Sequence, residues 1–304
     1  MVTVGGIIGG GLRLVKDRPI STLVWGIIYM AVTAAGIVAL LVPFLQMAAA
    51  NAQHGTPPDP AALLRVMGLM YLFYFGIFIV LTILLAAGVR AVLRPDEPGF
   101  AYIRLGMDEV RLVALMLMMV IGGFVLMMVL IMLFSIVMIA MGAGAGGMMN
   151  GGAAPGQPGA GFVVMILLIY AIPIFLSVRL SPALALTMIR QKIVIGEAWR
   201  LTSGHFWKIF AGYLVLGLIL FVAYIAILFA VFLPLASVTG NAEPGAMAAL
   251  MQGHVGALGP ILAGGCVVLA ILSGIGIAFW SGGIAAATNA LLADPDMDYA
   301  ETFA

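Results

Sequence analysis

Cationic and tryptophan side chains beside apolar segments are the residues of this sequence best suited to bind a ligand. The candidates are Arg104, Arg179, Trp199, Arg200, Trp207 and Lys208. A tryptophan ring settles at the headgroup level of a membrane, and a neighbouring arginine or lysine reaches the lipid phosphates. These side chains therefore predict a site for an anionic lipid headgroup or for another membrane protein. The alternative is that they only anchor the chain in the membrane, as such residues commonly do.

Arg179 lies inside an apolar segment, where an ionisable residue is a functional candidate. It follows Phe162 by 17 residues, or about 25 Å along a helix that rises 1.5 Å per residue. Because the hydrocarbon core is about 30 Å thick, we expect Arg179 near its cytoplasmic edge. There it either snorkels as an anchor or clamps a phosphate headgroup together with Ser181 and the segment around Arg200. Pro173 in the same segment removes one helical hydrogen bond and predicts a kink, and Pro182 adds a second break. Such breaks serve packing or mark a transport path.

Metal and enzyme chemistry have little support in the sequence. Met247, Met251 and His254 would share one face of a helix, and thioethers bind Cu(I). Three soft ligands on one face make an incomplete site, so we expect no metal and no cofactor. No set of nucleophile, base and acid is evident, and we expect the protein not to be an enzyme. The acids near the arginines are expected to form local salt bridges: Asp17, Asp96, Glu97, Asp108, Glu109 and Glu197.

The composition predicts that membrane helices position these side chains. Hydrophobic residues make up 64% of the 304 residues and charged residues 8%, whereas soluble domains contain about 25% charged residues. A span needs about 20 apolar residues, and in lipid such a segment must be helical because its backbone has no other hydrogen-bond partners. We therefore predict an all-α integral membrane protein. Its six predicted spans are 21–44, 64–92, 110–141, 162–180, 206–235 and 258–291.

The basic residues are concentrated on one side of the predicted spans. The connections 48–62, 142–161 and 237–256 contain no lysine or arginine. The positive-inside rule therefore predicts a multi-pass protein of the bacterial inner membrane with both termini in the cytoplasm. Nothing in the charge pattern favours nucleic acid. The cytoplasmic side holds eleven of the thirteen basic residues, here named the basic collar: Arg13, Lys16, Arg18, Arg90, Arg94, Arg104, Arg111, Arg190, Lys192, Arg200 and Lys208.

A short pattern occurs three times along the chain. An apolar–Arg–Leu triplet places Arg104 91 residues after Arg13, and Arg200 96 residues after Arg104. We interpret this as one membrane domain, 1–304, built from three repeated units at about 1–95, 96–190 and 191–304. Each unit would contain an interfacial helix and a transmembrane hairpin. The predicted interfacial helices include 193–207 and 100–111, where Phe100, Ile103 and Met107 would share one face.

The third unit resembles a known group of bacterial multi-span proteins. The sequence from Glu197 to Lys208, EAWRLTSGHFWK, and the upstream sequence from Val178 to Leu184, VRLSPAL, carry the resemblance. Both are similar to segments in the membrane domain of glycerophosphoryl diester phosphodiesterases. The resemblance implies a multi-span helical fold. It does not imply phosphodiesterase activity, because the catalytic acids and histidines of that family belong to a separate soluble domain, which we do not find in these residues.

Two functions remain open on these grounds. The first is a non-enzymatic membrane scaffold or lipid-interacting subunit that acts through the basic collar. Its expected partners are membrane lipids, chiefly anionic ones, and another membrane protein. The second is a transporter or lipid-handling channel with a path near Arg179 and Pro173. The spans contain few polar groups, which disfavours a hydrophilic substrate and leaves a lipid substrate open.

Overall fold

The computed structural model describes residues 2–54, 60–97, 99–140, 160–239 and 255–293. These residues form an all-helical structure, and within them the only strand-like pairing is an isolated bridge between Phe100 and Ile103. The helices in chain order are α1 Val4–Asp17, α2 Pro19–His54, α3 Pro60–Leu93, α4 Met107–Ala140, α5 Ala160–Leu180, α6 Pro182–Arg190, α7 Ile195–Leu201, α8 Phe206–Thr239 and α9 Val255–Leu292.

Six segments are helical, long and apolar enough to cross a membrane. They are Pro19–Leu41, Pro60–Leu93, Met107–Ile136, Leu167–Arg190, Phe206–Ala230 and Ala263–Leu292. Each overlaps one predicted span, which confirms the prediction of six helices long and apolar enough to cross a membrane. The fourth segment contains two helices, because α5 ends at Leu180 and Pro182 begins α6. The break predicted at Pro182 is confirmed, whereas α5 continues through Pro173. A proline fits the first turn of a helix, where no intrahelical N–H donor is needed.

The described chain divides into two compact units. Unit 1 contains Met1–Glu109 and Trp207–Ala304, and unit 2 contains Val110–Phe206. The core of unit 1 joins α1, α2, α3 and α9. Its buried residues are Leu14, Trp25, Leu84, Ala87, Ala91, Tyr102, Ile277 and Ala278. Among membrane helices, close van der Waals packing stabilises such a cluster, because lipid tails are as apolar as the side chains.

Glycines let the helices of unit 1 approach closely. A Cβ atom at Gly282 of α9 would lie 2.8 Å from the carbonyl oxygen of Gly10 and 3.0 Å from Cα of Gly11, both in α1. At a second crossing, a Cβ at Gly274 would collide with the carbonyl oxygen of Thr22 in α2. Small residues permit this kind of backbone contact between membrane helices. The glycines of α1 and α9 therefore serve internal packing at these crossings.

The connection from α3 to α4 departs from the sequence expectation. The predicted surface helix over 100–111 is wrong for its first half, because the helix begins only at Met107. Residues before it form a turn in which Ala101 and Tyr102 have φ angles of 51° and 61°. Left-handed backbone costs energy for residues other than glycine and persists only where surrounding contacts hold it. Here the Trp25 indole donates to the Ala101 carbonyl at 2.8 Å.

Unit 2 contains most of α4 and all of α5, α6 and α7. The 21 residues of α5 correspond to about 31 Å at 1.5 Å per residue, enough to cross the hydrocarbon core without α6. The α6 residues from Pro182 to Met188 are all buried, which explains their apolar character without a position in lipid. The chain then turns through Gln191, whose φ is 53°, into the short helix α7.

Candidate functional site

Arg179 lies at the end of α5 among three aromatic rings. Its guanidinium carbon is 5.6 Å from the ring centre of Phe175, 5.2 Å from that of Trp199 and 5.9 Å from that of Phe206. Each distance is within the roughly 6 Å at which a cation is attracted to the face of an aromatic ring. We name Arg179, Phe175, Trp199 and Phe206 the arginine–aromatic cluster.

The cluster is held together by contacts between α5 and α7. The buried hydroxyl of Thr202 lies within hydrogen-bond distance of the carbonyl oxygens of Arg179 at 3.2 Å, Ala198 at 3.1 Å and Trp199 at 3.1 Å. The Phe175 ring packs edge-on against Trp199, with centres 5.9 Å apart. These contacts place the end of a spanning helix against the short helix that carries Trp199 and Arg200.

A second contact fixes the turn that precedes α7. Nε and Nη2 of Arg190 donate to the same Glu197 carboxylate oxygen, at 3.2 and 3.0 Å. The Glu197 side chain is only 10% exposed, so this pair lies partly out of water. It ties the last residue of α6 to the first turn of α7, and thereby supports the position of Trp199.

The guanidinium of Arg179 has N–H donors without a partner among the described residues. Within the described chain its one hydrogen bond runs from Nη1 to the Trp199 carbonyl at 3.5 Å, the outer limit for such a bond. Its buried Nε has no hydrogen-bond partner among the same residues, nor does any described carboxylate pair with it. An arginine has five N–H donors and stays charged at all physiological pH values. The cluster therefore holds a cation in place without neutralising it.

An apolar cavity lies between α4 and α5 of unit 2. Its volume is about 520 Å³, and its walls come from α4 between Met116 and Met127, from α5 between Ile172 and Leu180, and from Ile195 of α7. We name it the α4–α5 cavity. Pro173 lines it directly. Pro173 thus lies beside this partly open space, and Arg179 precedes Leu180 at the end of the same helix.

The other predicted binding residues lie outside the arginine–aromatic cluster. Arg104 donates to Glu97 at 2.8 Å in an exposed ion pair, so its charge is already partly balanced. Arg200 and Lys208 are exposed, and Trp207 is 75% exposed. By the division of the chain, Arg179, Trp199 and Arg200 belong to unit 2, whereas Arg104, Trp207 and Lys208 belong to unit 1. Among these candidates, Arg179 and Trp199 are in mutual contact.

The basic collar is partly neutralised by the acids next to it. Four of its arginines form ion pairs: Arg90 with Glu109, Arg94 with Asp108, Arg104 with Glu97, and Arg190 with Glu197. The prediction that these four acids are local salt-bridge partners is confirmed. Within the described part of the chain, Arg13, Lys16, Lys192 and Lys208 are exposed and have no ion pair. The charge available to an outside anion is therefore smaller than the sequence count suggests.

Arg90 and Glu109 form a buried ion pair whose role the sequence did not reveal. Their side chains are only 3% and 4% exposed. Arg90 also donates to the Tyr102 carbonyl at 2.8 Å, and the other oxygen of Glu109 accepts from the Gly106 backbone N–H at 3.0 Å. An acid that reaches back to the first backbone donor is typical of a helix N-terminus. Its position three residues after Gly106 is the signal that could have revealed this cap.

Comparisons with protein-family models, curated proteins and solved structures find no match to the chain.

The methionine and histidine candidates for a metal site, Met247, Met251 and His254, lie outside the described residues. Among the residues that are described, no group of three or more histidine, cysteine, aspartate or glutamate side chains could hold a metal ion. The site with the most distinctive chemistry in the described chain is therefore the arginine–aromatic cluster, whose chemistry suits a phosphate or another oxyanion.

Proposed function

We propose that the protein is a non-enzymatic integral protein of the bacterial inner membrane, a scaffold or lipid-interacting subunit that acts through its basic collar. Of these two roles, lipid interaction has the stronger support. The observation that carries it is Arg179, a cation at the end of a spanning helix that no described carboxylate neutralises. Arg179 is not itself part of the basic collar, but it contacts Trp199, the sequence neighbour of the collar residue Arg200. Anionic lipid phosphates supply the oxygen acceptors that an arginine fork binds best.

We also propose an orientation of the chain in the membrane and a relationship to a known family of membrane domains. Both termini lie in the cytoplasm, since the basic collar then faces the side that the positive-inside rule requires. The motif from Glu197 to Lys208 supports a relationship with the membrane domain of glycerophosphoryl diester phosphodiesterases, and the three Arg–Leu triplets support three repeated units. A cytoplasmically active reporter fused after Ala304 tests the orientation. A silent reporter there, together with an active periplasmic reporter at the same position, would reverse it.

Native mass spectrometry of the full chain, extracted with its own lipids, tests the function. We expect one or more anionic phospholipids to remain bound at a ratio well above their fraction in the source membrane. A stoichiometric partner protein without enriched lipid would instead support the scaffold role. Bound lipids in the same proportions as the bulk membrane, with no partner, would contradict both roles.

A second candidate function is supported by the α4–α5 cavity. A space of about 520 Å³ beside Pro173 is consistent with a transporter or lipid-handling channel whose path passes Arg179 and Pro173. Reconstitution distinguishes it from simple binding. A lipid-handling protein moves a fluorescent phospholipid between the leaflets of a proteoliposome, whereas a scaffold or binding subunit leaves its distribution unchanged.

A further inference from the structure

We propose that unit 2 holds a single anionic phospholipid, with its phosphate at Arg179 and one acyl chain in the α4–α5 cavity. This inference rests on the proposed lipid interaction and names the ligand of that site. It joins a cation at one end of α5 with an apolar space that extends along the same helix. Neither feature alone identifies a lipid, but together they match its two chemically different parts.

The length of the cavity fits one leaflet. Met116 and Met127, which line it at its two extremes on α4, are 11 residues apart, or about 16 Å along the helix. Half of the hydrocarbon core is about 15 Å thick. On α5 the cavity runs from Ile172 to Leu180, and Leu180 is the last residue of that helix. The cavity therefore extends from the end of α5 to about the middle of the bilayer.

The walls of the cavity favour an acyl chain over a polar solute. Ser177 is the one side chain with a hydroxyl in its lining, and this hydroxyl donates to the Ile174 carbonyl of its own helix at 2.9 Å. Half of the α4 residues that line the cavity are methionine, whose unbranched thioether side chain adapts to different shapes. The cavity thus excludes hydrated groups and accepts chains of different length and unsaturation.

The arginine–aromatic cluster favours an anionic headgroup. Rings arranged around a cation can bind a choline headgroup, but Phe175, Trp199 and Phe206 are already occupied by the guanidinium of Arg179. What the cluster offers to a lipid is positive charge and unused N–H donors. A phosphate accompanied by a neutral headgroup, as in phosphatidylglycerol, satisfies them without introducing a second cation next to Arg179.

Photolabelling of the full chain in lipid nanodiscs tests this assignment. The probe is phosphatidylglycerol with a diazirine on one acyl chain, present as a minor component of phosphatidylcholine discs. The same diazirine on phosphatidylcholine is the reference probe. We expect the phosphatidylglycerol probe to label the α4 segment 116–127 and the α5 segment 172–180 several-fold more than the reference probe does.

Two pairs of variants separate the two halves of the site. Gly123→Leu fills the cavity, and a Cβ at Gly123 meets nothing within 4 Å, so the fold should accept it. Gly76→Leu in α3 is the matched control, since its Cβ also meets nothing within 4 Å. Arg179→Gln removes the cation, with Arg65→Gln in α3 as the control at an exposed arginine outside the basic collar. We expect Gly123→Leu and Arg179→Gln each to reduce labelling several-fold, and both controls to leave it unchanged.

The outcomes distinguish this site from the broader function. Labelling that neither Gly123→Leu nor Arg179→Gln reduces would overturn the assignment. Enrichment of phosphatidylglycerol in native mass spectra with no labelling of α4 or α5 would also overturn it, while leaving the lipid-interacting function intact. No preference for phosphatidylglycerol in either experiment would refute both. If Arg179→Gln does not fold, Arg179→Lys replaces it: we expect labelling to be retained because the charge is kept, and loss of labelling in the folded variant would overturn the assignment of the phosphate to that charge.

Discussion

The buried pair between Arg90 and Glu109 should be far more important for stability than its exposed neighbour, the pair between Arg104 and Glu97. The side chains of the first pair are 3% and 4% exposed, and those of the second are 49% and 44% exposed. Breaking a buried pair costs about 3–5 kcal/mol because the remaining charge stays buried. Breaking an exposed pair costs about 0–1 kcal/mol. Both acids lie near the same turn, so Glu109→Gln and Glu97→Gln form a matched comparison.

The magnitude for Glu109→Gln can be assigned to one cause. Glutamine retains an amide oxygen that can accept from the Gly106 N–H, so the cap of α4 is preserved. Arg90 retains its bond to the Tyr102 carbonyl. What is lost is the charge that balances the Arg90 guanidinium. We therefore expect a loss of about 3–5 kcal/mol in the free energy of unfolding.

Unfolding by SDS in mixed micelles, followed by circular dichroism, measures this difference. A loss for Glu109→Gln no larger than that for Glu97→Gln would refute the reasoning. The double variant Arg90→Met with Glu109→Gln supplies a second check, because removing both charges should cost less than the sum of the single losses. If Glu109→Gln does not fold at all, Arg90→Lys, which keeps the charge, gives a milder perturbation of the same pair.

Three further changes have defined expectations. Gly274→Leu places a side chain against the backbone of α2 and should cost at least about 1–3 kcal/mol in SDS unfolding, whereas Gly264→Leu, with nothing within 4 Å of its Cβ, should be nearly neutral. Trp25→Phe removes the indole bond to Ala101 and should cost about 1–3 kcal/mol; unchanged amide exchange at this turn would contradict that. Thr202→Val removes the hydroxyl between α5 and α7 and should increase proteolysis of unit 2, while equal cleavage rates would show that the hydroxyl contributes nothing.

The spanning helices could be predicted because hydropathy is a local property of the sequence. A run of apolar residues in lipid has to satisfy its own backbone hydrogen bonds, and all six predicted spans coincide with long apolar helices. The break at Pro182 was equally local, since proline starts α6. The helical spacing of Phe100, Ile103 and Met107 led to a wrong prediction. Hydrogen bonds from side chains of α2 and α3 hold this short segment in a turn instead.

The candidate site was predicted only in part. Arg179 was identified because a charge in an apolar segment is costly and therefore informative. Its ring neighbour Phe175 lies four residues before it on the same helix, so that contact follows from the helical period. Phe206 lies 27 residues after it, and no sequence pattern linked these two. The α4–α5 cavity was likewise invisible, because a cavity depends on how two helices separate rather than on the composition of either one.

The sequence by itself determined that this protein is helical, that six helices are apolar enough to cross a membrane, and that its positive charges lie at the ends of those helices. These properties depend on short stretches of chain and on the cost of exposing polar groups to lipid. Only the tertiary structure decided which charges are neutralised. It placed Glu109 against Arg90 and left Arg179 among aromatic rings without a described carboxylate. The balance of a charge depends on distances of a few ångströms between residues far apart in the chain, and folding alone sets those distances.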